Sequence, residues 1–219
     1  MHCETLSIKR PAETGPGFSE AARQRLLSIK GEPLFLADWL RPVFIHYEVP
    51  APILQHDVPF ALDLHDGKAY VSLVAFTMRR MRPFRGGVLA EWLLKPIARN
   101  DFLNVRTYVR HRGEPGIYFL TEWMNNPLSV RLGPWTFGLP YRFGELNYRH
   151  KCENGAFDGN VREKTDARSF SYEGILMQPH FTPCPTGSLD EFLLERYTAF
   201  TSHKTTRRFF RIWHEPWKQ

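Results

Sequence analysis

The sequence predicts a strand-rich α+β domain, and three observations support this fold class. Segments rich in β-branched and aromatic residues recur along the 219-residue chain, and Asp-Gly or Asn-Gly turns adjoin several of them. A few other segments have helical spacing or helix-capping residues. With 42% hydrophobic and 14% aromatic residues the chain can bury one large core. We therefore expect a single domain over residues 18–219, preceded by a mobile N-terminal arm over residues 1–17.

Strands are predicted where β-branched and aromatic residues cluster between turn signals. The segment 69–78 follows the turn Asp66-Gly67 and should be a central strand. Two segments flank a turn that contains Pro115, which predicts a hairpin, and Asn154-Gly155 predicts a second, more polar one. The remaining strand-like segments are 44–49, 104–109, 116–123 and 169–177.

Helices are predicted on both sides of these strands. Ser19 reads as the N-cap of a short helix, and apolar residues over 34–40 and 88–98 suggest two more. Ser188 with Glu191 three residues later forms a capping box, in which each side chain satisfies an exposed backbone N–H. In the helix that follows, one stripe should pack on the sheet: Leu189, Phe192, Leu193 and Tyr197.

The charge balance leaves a second class of function open. The formal net charge is +6 and the isoelectric point is about 9.3, with basic residues concentrated over 78–87 and 205–219. Such segments could bind a nucleic acid or another anionic surface. No helix-turn-helix, zinc-knuckle or RNP-type signature accompanies them, so a nucleic-acid partner is not the main expectation. Binding of a nucleic acid or another anionic surface through these segments stays the alternative function.

Several other classes lack their usual sequence features. The first residues are polar and broken by proline and glycine, and no apolar run approaches the roughly 20 residues that span a bilayer. Three cysteines form no CxxC pair, which suits a reducing compartment. We therefore expect a cytoplasmic protein without a membrane partner. No HExxH, GxSxG, GxGxxG or Walker loop is present, so neither a metal nor a cofactor is expected.

One strand carries a polar, cationic face. Alternation over residues 104–109 places Asn104, Arg106 and Tyr108 on one side and apolar residues and Thr107 on the other. A buried arginine needs an acidic or anionic partner, and its planar fork can hold two carboxylate oxygens at once. Arg106 is thus a candidate clamp for an anionic ligand. The alternative interpretation is that Arg106 faces solvent or has a purely structural role.

Further candidates for chemistry lie on neighbouring segments. His46 shares a predicted strand face with Glu48 and could exchange protons, although a structural histidine is the favoured interpretation. Glu122 and Glu145 are acids within apolar or aromatic strands, where desolvation would raise their pKa. Tyr141 could present a phenol to a pocket. The candidate catalytic residues are thus Glu122 and His46, and the candidate ligand-binding residues are Arg106, Asn104, Tyr108 and Tyr141.

Several stretches also resemble a known bacterial family. They are LRPVFIHYEVP, LDLHDG, AYVSLVAFTMRRMRP, NVRTYVRHRGEPGIYF, GLPY, GSLDEFLLERY and HEPW, and they occur in this order along most of the chain. Together they resemble the YqjF-like proteins, a domain of unknown function in the acetoacetate-decarboxylase-like superfamily. The resemblance implies an antiparallel, closed or cone-shaped β-barrel with flanking helices and an internal small-molecule site.

The resemblance also implies a reaction that this sequence does not support. Decarboxylases of that superfamily use a lysine as Schiff-base nucleophile, with arginine and glutamate handling the substrate acid. No lysine lies between Lys95 and Lys151, where that nucleophile should be, while Glu122 falls near a superfamily glutamate. We therefore expect a barrel that binds an organic acid or keto compound, either as a carrier or as a lyase or related enzyme without a Schiff base. A noncatalytic interaction domain is a further alternative, and the ligand, pathway and oligomeric state are not indicated.

Overall fold

A computed structural model of the chain describes residues 18–28, 33–150, 155–163, 168–177, 181–203 and 206–218. The helices in these residues are α1 (Phe18–Ser28), α2 (Ala51–Asp57), α3 (Gly87–Leu94), α4 (Pro127–Thr136) and α5 (Leu189–Leu194), with a 3-10 turn at Lys95–Ile97. The strands are β1 (Phe35–Val49), β2 (Ala61–Leu62), β3 (Ala69–Pro83), β4 (Asn100–His111), β5 (Glu114–Met124), β6 (Tyr141–Arg149), β7 (Ala156–Glu163), β8 (Ser169–Ile175), β9 (Thr198–His203) and β10 (Thr206–Arg211).

These strands form one sheet that curls into a half-barrel, which confirms the predicted strand-rich fold. The main path is β1-β3-β4-β5-β6-β7-β8, and neighbours pair antiparallel except around β5. There, β6 and β9 both pair parallel to β5. Strand β5 therefore lies where the meander joins the C-terminal strands.

The helix predicted over residues 34–40 is wrong, because this segment is the first half of β1. Trp39 pairs with Met78 of β3, and the pairing continues to Val49 with an irregularity between Leu40 and Val43. Arg41, with φ of 48°, lies inside that irregularity. A proline is tolerated at a bulge of a strand at the end of the sheet. The Arg-Pro dipeptide therefore bends the strand rather than ending a helix.

A second irregularity, in β5, resets which residues share a face. Val105 of β4 pairs with Thr121, whereas the next residue, Arg106, pairs with Phe119. The extra residue on β5 makes this a β-bulge. As a result Phe119 and Glu122 lie on the same side of the sheet, although they are three positions apart and strict alternation would separate them.

The two faces of the central strands are both covered. One face, which we call the site face, carries Asn104, Arg106 and Tyr108, and the backbone of α5 packs against it through Leu193. Its apolar part includes Val74, Phe76, Phe102 and Met124. The opposite face is covered by α2 near Val109 and by the β6–β8 strands near Leu103. Burial on both faces explains why the polar residues of the site face are shielded from water.

The other predicted helices and hairpins are largely confirmed. Helix α3 and its 3-10 turn occupy the segment 88–98, and the β4–β5 and β6–β7 hairpins form as predicted. Ser188 Oγ accepts a hydrogen bond from the Glu191 backbone N–H, so the N-cap of α5 is confirmed. The predicted stripe is too long, because α5 ends at Leu194 and Tyr197 leads into β9. Helices α2 and α4 and strands β9 and β10 were not predicted from the sequence.

The described helices can be compared with the expectation that no segment spans a membrane. None of them is both long enough and apolar enough to cross a bilayer. The predicted arm over residues 1–17, together with Cys152 and Asn154, lies outside the described residues.

Candidate functional site

Two adjacent central strands bring three buried polar side chains together on the site face. Asn104 of β4 lies opposite Glu122 of β5, and Arg106 follows two residues along β4. Asn104 is 4% exposed, Arg106 is 6% exposed and Glu122 is 3% exposed. We call these three residues the polar cluster.

The guanidinium of Arg106 has only partial compensation from its neighbours. Its Nη2 donates a hydrogen bond to the Leu193 carbonyl oxygen at 3.2 Å, and its Cζ lies 5.4 Å from the centre of the Phe44 ring. A backbone carbonyl and an aromatic face stabilise a cation, but neither carries a full negative charge. Among the described residues no carboxylate forms an ion pair with Arg106.

Each member of the polar cluster also has a buried atom without a hydrogen-bond partner in the described part of the chain. These atoms are Arg106 Nε, Asn104 Oδ1 and Glu122 Oε2. Buried polar atoms are nearly always paired in native proteins, so three unpaired atoms on one face require an explanation. One donor and two oxygen atoms are thus presented on the same side of the sheet.

Burial decides the protonation state of Glu122. Desolvation raises the pKa of its carboxyl group to about 8, and the nearby Arg106 lowers it only in part. The carboxyl is therefore mainly protonated at neutral pH and can donate a hydrogen bond. Because a protonated acid carries no charge, Glu122 does not neutralise Arg106.

Tyr141 lies at the start of β6 beside this acid. It pairs with Glu122 across the parallel β5–β6 ladder, and its ring makes an edge contact with Phe102, 6.3 Å between centres. Burial and the neighbouring Glu122 raise the pKa of the phenol well above its ordinary value. Its ring also packs directly over Gly133 of α4, where a Cβ would collide with it. Tyr141 is thus a neutral, tightly packed wall of the cluster.

His46 joins the site face through a chain of hydroxyl groups. Its Nδ1 lies 2.7 Å from Ser72 Oγ, which lies 2.5 Å from Tyr108 Oη, and the Tyr108 hydroxyl donates to the Leu193 carbonyl at 2.9 Å. Glu48, which shares the strand face with His46, is not part of this chain of hydroxyl groups. Glu48 instead forms an exposed ion pair with Lys68.

Counting protons along this chain assigns the histidine tautomer. The Tyr108 hydroxyl donates its single proton to the Leu193 carbonyl, so the Ser72 hydroxyl must donate to Tyr108. The Nδ1–H of His46 then donates to Ser72, which leaves the lone pair on Nε2. Burial, followed by the charge of Arg106, lowers the pKa of His46 to about 4 and keeps the ring neutral.

The C-terminal segment forms another wall of the site. Trp217 packs edge-on against Phe44 at 5.4 Å, and its backbone N–H donates to Glu195 Oε1 at 2.6 Å. His214 lies between Trp217 and Tyr197, with its ring stacked on Tyr197. Phe44 in turn lies under the Arg106 guanidinium. In the sequence this segment is marked only by the motif HEPW, from which no role for His214 or Trp217 was predicted.

Glu145, a predicted buried acid, and the described lysines do not belong to the polar cluster. Glu145 is exposed on β6 opposite Arg162, away from the polar cluster. The described lysines, Lys68, Lys95 and Lys218, are all exposed. Among the described residues no group of three or more potential metal ligands occurs.

Comparison with known proteins places these features in a family. Residues 36–219 match the family DUF2071, described as an uncharacterized conserved protein. The uncharacterized protein YqjF of Bacillus subtilis (strain 168) is 30% identical over 206 residues, which cover 91% of this chain and 81% of YqjF.

Two solved structures share the fold at low sequence identity. Acetoacetate decarboxylase from Legionella pneumophila superimposes with a TM-score of 0.52 at 14% identity, covering 88% of this chain and 69% of that one. The enduracididine biosynthesis enzyme MppR, complexed with pyruvate, gives a TM-score of 0.54 at 14% identity, covering 83% and 70%. The family match over most of the chain confirms the resemblance drawn from the sequence, and this protein belongs to the DUF2071 family of YqjF-like proteins.

Proposed function

We propose that the protein binds a small organic anion, a carboxylate or keto acid, at the polar cluster. The observation that carries this proposal is the buried guanidinium of Arg106, which has no ion pair among the described residues. A buried charge is costly unless it is paired. The nearest acid, Glu122, does not supply the charge, because burial raises its pKa to about 8.

The remaining groups of the cluster suit the same ligand. Arg106 Nε is an unused donor and can form a charge-assisted hydrogen bond to a carboxylate oxygen. The protonated carboxyl of Glu122 can donate a second bond, to a carboxylate or a ketone oxygen. The phenol of Tyr141 and the ring of Phe44 bound the cluster with apolar surface. A structure of one protein with the same fold, MppR, holds pyruvate, which makes pyruvate a suitable first probe.

Calorimetric titration with pyruvate tests the binding site. Wild type should bind pyruvate, and Arg106→Met should lose about 10-fold to 100-fold in affinity, because a charge-assisted hydrogen bond is worth about 1.5–3 kcal/mol. Arg149→Met is the control, since it removes a largely exposed arginine that pairs with Asp158, outside the cluster and outside α5. Acetone, a ketone without charge, should bind much more weakly than pyruvate. Equal pyruvate affinity of wild type and Arg106→Met would rule out Arg106 as the clamp.

A second candidate function, proton transfer to or from the bound acid, is favoured by Glu122. A buried carboxyl with a pKa near 8 is mainly protonated at neutral pH but keeps a minor ionised fraction, so it can both give and take a proton as a general acid or base. In this role the carboxylate would take a proton from the carbon next to the ketone, leaving an enolate next to Arg106. This reaction needs no lysine, and the described lysines are exposed.

Exchange of the pyruvate methyl protons for deuterium, followed by NMR, tests this second function. Wild type should catalyse exchange, and the rate should rise with pH through a midpoint near 8 and level off at higher pH, as Glu122 ionises. Glu122→Gln should abolish exchange while still binding pyruvate, and Glu145→Gln, at an exposed acid, should behave like wild type. Binding without exchange in wild type would leave the protein as a carrier.

A further inference from the structure

Helix α3 presents an apolar face to solvent that consists of four large side chains rather than a single exposed residue. Val88 is 84% exposed, Leu89 is 70% exposed, Trp92 is 66% exposed and Leu93 is 62% exposed. Their spacing places all four on one side of the helix. We call these four residues the α3 patch. Large contiguous apolar surfaces of this kind mark interaction sites.

The surface continues beyond the helix. An open groove of about 330 Å³ is lined by Trp92, Leu93, Lys95 and Pro96. The Asn126 side chain donates a hydrogen bond to the Pro96 carbonyl at 2.7 Å, which brings the start of α4 beside this turn. On α4, Leu128 and Leu132 are nearly half exposed. The apolar surface is therefore wider than one helix.

Positive charge surrounds the same surface. Residues 79–99 contain six basic residues and one acidic residue, against a net charge of +6 for the whole chain. Five of the basic residues are exposed, and along the chain they precede or follow the α3 patch: Arg79, Arg80, Arg85, Lys95 and Arg99. One of the two basic segments of the chain thus adjoins its most exposed apolar helix.

We propose that the α3 patch docks on the surface of an anionic lipid bilayer. Apolar side chains with a tryptophan among them, bordered by arginine and lysine, match the boundary between acyl chains and negatively charged headgroups. A second copy of the chain would bring the same positive border against itself. Nucleic acid would satisfy the charges but leave Val88, Leu89 and Leu93 without an apolar partner. This proposal departs from the expectation of no membrane partner, which considered spanning segments alone, and it does not depend on the polar cluster.

Vesicle co-sedimentation of the full chain tests the proposal. The protein should sediment with phosphatidylcholine vesicles that contain about 30% phosphatidylglycerol and remain soluble with phosphatidylcholine alone. The double variant Trp92→Ser/Leu93→Ser should reduce binding at least about tenfold. Lys95→Glu/Arg99→Glu should reduce it by more than about fivefold per residue, and added salt should weaken the wild type.

Matched controls separate the patch from general effects of surface changes. Ile53→Ser alters a 68% exposed residue on α2, and Arg208→Glu reverses an exposed charge on β10, so neither should change vesicle binding. Absence of vesicle binding by wild type, or binding unaffected by the Trp92→Ser/Leu93→Ser change, overturns the proposal. So does a dimer in solution that this change dissociates, which would make the patch a contact between copies. Salt-sensitive DNA binding without vesicle binding overturns it as well.

Discussion

Ser72 Oγ lies 2.5 Å from Tyr108 Oη, and this contact joins β3 to β4 on the site face, next to Arg106. Ser72 is fully buried, and its hydroxyl also meets His46 Nδ1. A small residue in the middle of a strand thus connects β1, β3 and β4 and, through Tyr108, the end of α5.

The Ser72→Ala variant should be destabilised by about 1–3 kcal/mol, because it leaves buried groups on His46 and Tyr108 without a partner. Urea denaturation followed by circular dichroism measures this change. Ser171→Ala, at an exposed position of β8, should stay within about 0.5 kcal/mol of wild type. If the two variants have the same stability, the hydroxyl chain does not stabilise the fold.

His46 should remain neutral well below its ordinary pKa. Because the folded ring has a pKa of about 4 and the unfolded ring one of 6.5, the unfolded state binds more protons between these values. The stability that neutral His46 contributes to the fold is therefore fully present above pH 6.5 and is lost as the pH falls towards 4. Nitrogen-detected NMR of the imidazole ring should show a neutral Nδ1–H tautomer at pH 6.

Arg106→Met should raise the His46 pKa part of the way, because burial is the larger cause of the shift and the arginine the smaller. The same NMR titration on this variant, with Arg149→Met for comparison, measures the change. An unchanged His46 pKa in Arg106→Met would show that the guanidinium does not face the ring.

Local sequence patterns were sufficient to predict which side chains of β4, the strand that carries the site, share a face. Alternation grouped Asn104, Arg106 and Tyr108 correctly, because β4 has regular geometry where these residues lie. Alternation also placed Phe44 and His46 together on β1. These inferences need only the two-residue period of a strand, which is a local property.

Other parts of the site depend on contacts that are distant in sequence. The bulge that brings Glu122 to the site face depends on the pairing of β5 with β4 and leaves no clear mark in the sequence. The Leu193 carbonyl that receives two hydrogen bonds, and Trp217 against Phe44, come from segments far along the chain. Residues 34–40 have apolar content that suits a helix, but pairing with β3 overrides that local preference.

Glu122 should make the protein less stable as the pH rises. Its folded pKa of about 8 lies above the ordinary value of 4.5, so the folded state holds the extra proton between these values. Stability should fall from pH 5 to pH 8, by roughly 3–5 kcal/mol for a shift of this size. Glu122→Gln should remove this slope and be more stable than wild type at pH 8. Urea denaturation at both pH values measures the effect, and parallel slopes for the two proteins would contradict it.

Asp63 anchors a buried cation next to the site, and its loss should be among the most costly single changes. Arg196 Nη1 donates to Asp63 Oδ2 at 2.7 Å, with the Arg196 side chain 1% exposed and packed 4.1 Å above the Phe192 ring. Arg110 binds the other carboxylate oxygen of Asp63.

Asp63→Asn leaves the Arg196 charge buried without its carboxylate, so we expect a loss of about 3–5 kcal/mol. Asp158→Asn makes the same chemical change in an ion pair with Arg149, whose side chain is 84% exposed, and should cost less than about 1 kcal/mol. Thermal and urea denaturation of the two variants compare these costs directly. Because Phe192 and Leu193 belong to α5, Asp63→Asn should also displace the carbonyl that binds Arg106. Pyruvate affinity should therefore fall in Asp63→Asn and stay unchanged in Asp158→Asn, whereas equal affinities would separate the Asp63 network from the binding site.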